Sequence, residues 1–112
     1  MMEILRYLTP SGEDVIGGWF SRFRDARTRA KIETRFARLA TGNFGDCEAL
    51  KGGLFELRID WGPGYRVYYS MVGRITVLLL AGGDKGTQNA DIKRALKYLS
   101  DYRKRSEEHE KA

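Results

Sequence analysis

Three strand-length segments follow one another closely in the middle of this sequence, and they limit the folds open to it. They are Leu54–Asp60, Tyr65–Met71 and Ile75–Ala81, with only short connections between them. Connections this short join neighbouring antiparallel strands. The first segment alternates apolar and polar residues, whereas the third is apolar on both faces, which is typical of a strand covered on both sides. The pattern predicts an antiparallel meander whose third strand is central.

The apolar pattern also predicts how the first two strands pair. With Arg58 opposite Arg66, the core-facing positions meet apolar or aromatic partners, whereas a shift of one residue mixes the two faces. Two adjacent guanidiniums repel each other unless an anion or a carboxylate lies between them. Glu56 and Asp60 are close enough in sequence to supply that carboxylate at rest, and a phosphate could supply it in function.

Four separated cations are predicted to gather around this meander. Lys51 precedes the first strand, Arg58 and Arg66 lie within strands, and Lys85 lies in the glycine-rich loop 82–86. Glycines let a ligand approach the backbone closely, and Lys85 stands just before a predicted helix N-terminus, where anions bind. Four cations arranged in this way are suited to bind a phosphodiester backbone. Plain surface salt bridges between the arginines and neighbouring carboxylates are the alternative, and both interpretations stay open.

The rest of the chain predicts one further strand and three helices. In chain order these are a strand over Glu3–Leu8, a helix beginning at Ser11 and carrying Val15, Ile16, Trp19, Phe20 and Phe23, a second helix from Asp25 to Thr41, and a last helix over Gln88–Tyr102. Residues 43–51 are predicted to be a loop, and the charged tail 103–112 is predicted to be frayed. The fold class is therefore α+β, in the order β-α-α-β-β-β-α, with residues 1–102 forming a single domain.

The second predicted helix carries two stripes of side chains. Ile32, Phe36 and Leu39 recur at helical spacing and form its core stripe. Basic residues recur every three or four positions beside it, namely Arg24, Arg27, Lys31, Arg35 and Arg38. Three interpretations of this basic stripe stay open, namely a solvated helix face, a track for nucleic acid, and a docking face for an acidic partner.

Composition narrows the classes of function. Net charge is +5, which favours nucleic acid or an acidic protein as partner. Cys47 is the single cysteine and no apolar run reaches membrane-spanning length, so we expect a reducing, cytoplasmic setting and no membrane partner. His109, the single histidine, lies in the tail, which excludes paired-histidine and Ser/His/Asp mechanisms within the fold. Any catalysis must use Arg, Lys, Tyr and Glu, with no metal and no cofactor.

Several short motifs together resemble the RelE/HigB toxin superfamily. They are Leu50–Ile59, Gly62–Tyr69 and Leu78–Lys85, continued by Gln88 and Asp91. Within that superfamily, the likeness is strongest to the phage-derived or addiction-module killer proteins. The resemblance reaches back through the helices and spans residues 3–100.

The resemblance implies a RelE-like fold, with two N-terminal helices packed on a mostly antiparallel four-stranded sheet. It also implies a toxin of a type II toxin-antitoxin system, a metal-independent mRNA endoribonuclease (mRNA interferase) that acts on translating ribosomes. Its partners would be mRNA, the ribosome and a helix-turn-helix antitoxin encoded beside it. Arg66 corresponds to the phosphate-binding arginine, and Arg58 and Lys85 to the other catalytic cations. Lys51 and the basic stripe would hold flanking RNA.

Two positions depart from the family pattern. Gln88 and Asn89 stand where many ribosome-dependent members carry a catalytic tyrosine or histidine, and Glu56 stands where some carry another cation. Related toxins of this fold bind DNA gyrase instead of RNA, so the fold alone does not decide the target. A gyrase-type inhibitor and an inactive relic that only binds its antitoxin are therefore the alternative functions.

Overall fold

A five-stranded mixed sheet forms the centre of the protein, whose computed structural model describes residues 1–111. Three helices accompany the sheet, so the predicted α+β class is confirmed. The elements are β1 (Glu3–Arg6), α1 (Val15–Ser21), α2 (Ala26–Ala40), β2 (Cys47–Ala49), β3 (Leu54–Ile59), β4 (Tyr65–Met71), β5 (Thr76–Asp84) and α3 (Gln88–Lys111), with 3-10 turns at Lys51–Gly53 and Lys85–Thr87.

The strand order across the sheet is β1-β5-β4-β3-β2. β1 pairs with β5 in parallel, and every other neighbouring pair is antiparallel. Arg58 lies opposite Arg66 across β3 and β4, so the predicted register is confirmed. A register shift between Tyr68 and Tyr69 interrupts the β4–β5 pairing. The predicted meander is therefore present, with β5 as an inner strand of a wider sheet.

The sheet has one more strand than predicted, because Cys47–Ala49 was expected to be part of a loop. β2 runs antiparallel to β3, with Cys47 opposite Leu57 and Ala49 opposite Phe55. Three residues are too few for an alternating pattern to be recognised. This strand forms because β3 presents an unpaired edge, which is a property of the folded sheet rather than of the local sequence.

α1 begins later than predicted, at Val15 rather than at Ser11. Asp14 is its N-cap, and the Asp14 Oδ1 atom accepts a hydrogen bond from the Gly17 backbone N–H at 2.9 Å. The Ser11 hydroxyl bonds to Thr9 instead, 3.0 Å away. Aspartate and serine both cap helices well, and the chain uses the aspartate because residues 9–13 form a turn. α2 agrees with its prediction, since Asp25 caps it.

α3 continues to Lys111, so the prediction of a frayed tail from residue 103 is wrong for residues 103–111. Ala112 lies outside the described residues. Two contacts of Arg105 hold this part of the helix, since its Nη2 lies 2.7 Å from Asp101 Oδ2 and donates to the Leu8 carbonyl at 2.5 Å. Intrahelical pairs at this spacing stabilise a polar helix. No helix within residues 1–111 is long and apolar enough to cross a membrane.

Each face of the sheet packs against its own helices. α1 and α2 cover one face, where Ile16 and Ile32 meet Leu57 and Val67 in a shared core. α3 covers the other face, where Ala95 and Leu99 pack on a second core with Leu54, Tyr68 and Leu80. β5 supplies alternating residues to both cores, so the prediction that this strand is covered on both sides is confirmed.

We expect alanine to destabilise the protein at Gly82, which is closely packed, and to stabilise it at Gly18, which lies in a helix with open space around it. A methyl group at Gly82 would overlap the indole ring of Trp19, whereas one at Gly18 of α1 would meet no atom within 4 Å. Gly82→Ala should lower the free energy of unfolding by about 1–3 kcal/mol because the core is overpacked. Gly18→Ala should raise it by about 0.5–1 kcal/mol because alanine favours helix. Urea unfolding measures both, and equal effects would contradict this packing.

Ionisation of Tyr7 should lower the free energy of unfolding at alkaline pH. Its hydroxyl donates to Asp101 Oδ2 at 2.5 Å, and burial, reinforced by Asp101, raises the pKa of Tyr7 to about 12. The proton is held more tightly in the folded state, so this contribution is complete below about pH 10 and is lost as pH rises through 12. Tyr7→Phe should lower unfolding free energy by about 1 kcal/mol at pH 7, and its difference from wild type should shrink above pH 10. A difference independent of pH would refute this assignment.

Candidate functional site

An open cleft of about 480 Å³ lies on the α3 face of the sheet, beside the first turn of α3. β3 and β4 form its floor and contribute Glu56, Arg58 and Arg66. Glu48 and Leu50 line one side, and Gln88, Asn89 and Ile92 line the other. We call this site the arginine cleft.

The carboxylate of Glu56 lies between the two arginines. Its Oε1 is 3.2 Å from Arg58 Nε and 3.8 Å from Arg66 Nε, and its side chain is 3% exposed. Its Oε2 accepts a hydrogen bond from Gln88 Nε2 at 2.8 Å. The expectation that a carboxylate separates the guanidiniums is thus confirmed for Glu56, whereas Asp60 makes no ion pair within residues 1–111. In the sequence, Gln88 stands where many members of the resembled family carry a catalytic residue. In the structure, its side chain holds the Glu56 carboxylate by this hydrogen bond.

Arg58 is neutralised by more carboxylates than its sequence neighbours suggest. Besides Glu56, it pairs with Glu48 of β2 and with Asp46, whose Oδ1 is 3.5 Å from Arg58 Nη1. The sequence does not indicate either partner, because both come from the segment that is predicted to be a loop. Three residues of β2 carry too little pattern to place Glu48 near Arg58.

Arg66 has fewer partners than Arg58. Its Nη1 donates to the Tyr65 carbonyl at 3.1 Å, while its buried Nε has no hydrogen-bond partner within residues 1–111. The side chain is 13% exposed. A buried donor without a partner carries a free-energy penalty that a suitable acceptor would relieve. Arg66 therefore keeps the capacity to bind an anion that enters the cleft.

Tyr68 lies beneath this pair and is fully buried, and its hydroxyl has no hydrogen-bond partner within residues 1–111. Burial raises the pKa of Tyr68, and the nearby Glu56 carboxylate raises it further. The phenol therefore stays protonated at neutral pH, where it can donate a hydrogen bond but cannot act as a base.

The two predicted lysines lie outside the lining of the cleft. Lys85 is exposed, and its backbone N–H donates to the Gly64 carbonyl at 2.8 Å. A methyl group built on Gly64 would lie 3.3 Å from Arg66 Nη1 and 3.6 Å from Lys85 Cβ, so Lys85 borders Arg66. Lys51 is exposed in the 3-10 turn that follows Leu50. The structure thus brings Arg58 and Arg66 together in the cleft, with the Cβ of Lys85 near Arg66 and Lys51 in the turn after Leu50.

The basic stripe faces a second cleft, of about 540 Å³, on the α1 and α2 side of the protein. Its lining includes Arg27, Lys31, Arg35 and Arg38 of α2, together with Ile59, Asp60 and Trp61 at the end of β3. We call it the α2 cleft. Arg24 precedes the N-cap of α2 and does not line this cleft. The stripe and the arginine pair therefore belong to opposite faces of the sheet.

Arg35 differs from the rest of the stripe, because its guanidinium binds the protein backbone. It donates to the carbonyls of Arg58, Phe44 and Asp46, the last two at 3.2 and 3.3 Å. Burial lowers the pKa of Arg35 from its ordinary value, although it remains far above neutral pH. Both terminal nitrogens bind backbone carbonyls, so its observed role is to tie α2 to the end of β3.

Comparison with known proteins gives one informative match. The chain is 52% identical over 77 residues to an uncharacterized protein of Haemophilus influenzae (strain ATCC 51907 / DSM 11121 / KW20 / Rd), a match spanning 69% of this chain and 78% of that protein. The chain belongs to the family of that protein. No protein-family model matches the chain. The match assigns no activity to the chain, and the relationship to RelE/HigB toxins stays a prediction.

Metal ligands were not predicted, and the described residues offer no obvious set. Within residues 1–111, no three His, Cys, Asp or Glu side chains are grouped as a metal site. Cys47 is a free thiol and is half-buried. The participation or absence of a metal in any reaction stays a prediction.

We expect Glu56 to act as a resident anion that a soluble anion can partly replace. Glu56→Gln removes the charge between Arg58 and Arg66 and should lower unfolding free energy by about 1–3 kcal/mol, because the guanidiniums lose their shared partner. Sulfate should restore more stability to this variant than it adds to wild type, where it acts only by general exclusion. Urea unfolding with and without sulfate measures this.

The matched control is Glu13→Gln, because Glu13 is exposed and lies outside both clefts. This variant should gain no more from sulfate than wild type does. An equal sulfate effect in all three proteins would show that the arginine cleft does not bind anions.

Proposed function

We propose that this protein is a metal-independent mRNA endoribonuclease, the toxin of a type II toxin-antitoxin system of the RelE/HigB kind. The observation that carries the proposal is Arg66, a nearly buried guanidinium at the floor of an open cleft, whose Nε has no hydrogen-bond partner within residues 1–111. Arg66 also lies in the Gly62–Tyr69 motif that resembles those toxins. A phosphate of RNA supplies the acceptor that Arg66 lacks, with Arg58 as the second cation.

The proposed reaction is an intramolecular transesterification of the RNA, in which the phosphorus passes from the 5′-oxygen of one nucleotide to the 2′-oxygen of the preceding one. The 2′-oxygen attacks the adjacent phosphorus, the bond to the 5′-oxygen of the next nucleotide breaks, and the products carry a cyclic phosphate and a free 5′-hydroxyl. Arg66 and Arg58 stabilise the charge that develops on the phosphate oxygens. Lys85, at the border of Arg66, donates a proton to the leaving oxygen. Glu48 is the more exposed of the two carboxylates that line the cleft, and it accepts the proton of the 2′-hydroxyl.

The proposed setting is the translating ribosome, and the proposed partner is a helix-turn-helix antitoxin encoded beside the toxin. Arg24, Arg27, Lys31 and Arg38 are exposed and bind the backbone of flanking RNA on the α2 face of the sheet, whereas Lys51 contributes from the turn after Leu50, which lines the arginine cleft. The packing of α1 and α2 on one sheet face supports a RelE-like arrangement, with β2 as an additional edge strand.

A second function, without catalysis, is favoured by the charge balance of the arginine cleft. Its lining holds two arginines and two carboxylates, and within residues 1–111 no tyrosine or histidine belongs to that lining. The charges of this cleft balance, and among the described residues no tyrosine or histidine lines it to serve as a general acid or base. Such a cleft fits a protein that inhibits by binding, with a gyrase-type target or the antitoxin alone as its partner.

Induced expression in cells tests the proposal, with Arg66→Ala as the decisive variant. Wild type should arrest growth and produce new mRNA 5′ ends within translated frames. Arg66→Ala should lower cleavage by at least about 100-fold, since it removes a donor to the developing charge. Arg74→Ala is the matched control, because Arg74 is exposed in the β4–β5 connection, away from both clefts. Growth curves and mapping of mRNA 5′ ends are the measurements.

The other outcomes identify the second function. Growth arrest with intact mRNA would indicate a protein target, and induction of the DNA-damage response would point to gyrase. Absence of arrest by wild type at normal protein level would indicate a relic that only binds its antitoxin. Cleavage retained in Arg66→Ala would overturn the assigned role of Arg66.

A further inference from the structure

Three exposed cations line the α2 cleft without a carboxylate partner within residues 1–111. Arg27, Lys31 and Arg38 are exposed and make no ion pair within residues 1–111. Asp60 is the carboxylate in the lining of this cleft. The arginine cleft, in contrast, has as many carboxylates as cations. An anionic ligand is therefore attracted more strongly to the α2 cleft at first encounter.

Trp61 forms an aromatic wall of the same cleft, and its ring is held in place. Its Nε1 donates to Thr28 Oγ1 at 3.1 Å, and Thr28 Oγ1 in turn donates to Asp25 Oδ2 at 2.8 Å. Because Asp25 caps α2, this chain of hydrogen bonds fixes the indole to the start of the helix. The ring is half-buried, so part of it faces the cleft.

Lys31 covers the exposed part of this ring without being tied to it. Its Nζ lies 4.9 Å from the centroid of the Trp61 ring. Such a cation–π contact at an exposed site is weak, and a long lysine side chain leaves it readily. A flat ligand can therefore take the place of the ammonium on the indole, and the ammonium is then free to pair with an anion.

A fixed indole surrounded by unpaired cations matches the two parts of a nucleotide. The base stacks on the aromatic ring, and the phosphates pair with lysine and arginine. An acidic peptide would use the cations and leave the indole without a partner. The cleft volume of about 540 Å³ also lies within the usual range of small-ligand sites.

We propose that the α2 cleft is a nucleotide-binding subsite for single-stranded RNA, in which an unstacked base replaces the Lys31 ammonium on Trp61. Lys31 then contacts the phosphate of that nucleotide, while Arg27 and Arg38 contact the phosphates on either side. The strand must be single because a paired base cannot present its flat face to a side chain. The inference deepens the proposed RNA binding and rests on it, but it does not depend on cleavage.

Fluorescence provides the test, because the two tryptophans differ in exposure. Trp19 is 9% exposed in the core, whereas Trp61 is half-buried beside the cleft. The protein carries Arg66→Ala so that it does not cut the ligand, and the probe is a short single-stranded oligoribonucleotide of mixed sequence. Binding should quench the Trp61 emission. Trp61→Ala, in which Trp19 alone emits, should show no quenching and at least about fivefold weaker binding by anisotropy of a labelled oligonucleotide.

A matched pair on α2 separates this site from general basicity. Lys31→Ala should weaken binding and lower the salt dependence by about one counterion. Arg29→Ala should change neither, because the Arg29 guanidinium lies 5.1 Å from the Phe20 ring centroid, outside the α2 cleft. Both residues are exposed, so neither substitution should disturb folding.

Equal losses in Lys31→Ala and Arg29→Ala, or unchanged binding in Lys31→Ala, would overturn the subsite. Displacement of the oligonucleotide by polyglutamate at equal charge concentration, with Trp61→Ala binding as tightly as wild type, would overturn it in favour of an acidic protein segment. Growth arrest that depends on Arg66 together with unchanged binding in Lys31→Ala would retain the proposed nuclease and reject this subsite. Quenching without growth arrest would retain the subsite and reject the nuclease.

Discussion

The pairing of Arg58 with Arg66 across β3 and β4 fixes the two faces of the sheet, and both clefts depend on it. Side chains alternate along a strand, so a shift of one residue in this pairing would turn one of the two strands over and mix the faces. Either Leu57 or Val67 would then leave the core beneath α2 and enter the arginine cleft. The apolar residues buried on each face therefore hold two like charges side by side, and Glu56 makes that arrangement tolerable by lying between them.

Much of the fold could be predicted because its signals are local. The strand register, the cap and length of α2 and the two-sided burial of β5 follow from residue periodicity and from one aspartate. The missed features depend on distant parts of the chain. β2 exists because β3 offers an edge, and the end of α3 is held because Arg105 reaches Leu8. The choice of Asp14 over Ser11 depended on a turn that propensity alone does not resolve.

The candidate site could likewise be predicted only in part. Arg58 and Arg66, two of the four cations predicted around the meander, share one cleft, but the sequence does not say which cations are already paired. Arg35 binds backbone carbonyls and Arg58 binds three carboxylates, whereas Arg27, Lys31 and Arg38 have no such partners within residues 1–111. Charge is visible in a sequence, but its neutralisation depends on distances between segments far apart in the chain. Trp61 was missed for the same reason, since its position is set by Thr28.

Arg35 has a mechanical consequence, because it connects the two clefts through the sheet. Its guanidinium leaves α2 and binds the carbonyl of Arg58, whose own side chain lines the other cleft. This contact ties α2 to the strand that carries Arg58. Under the proposed RNA binding, a strand that occupies both clefts has to cross the distance between them. The number of nucleotides between the base on Trp61 and the phosphate at Arg66 would then be limited by geometry as well as by charge.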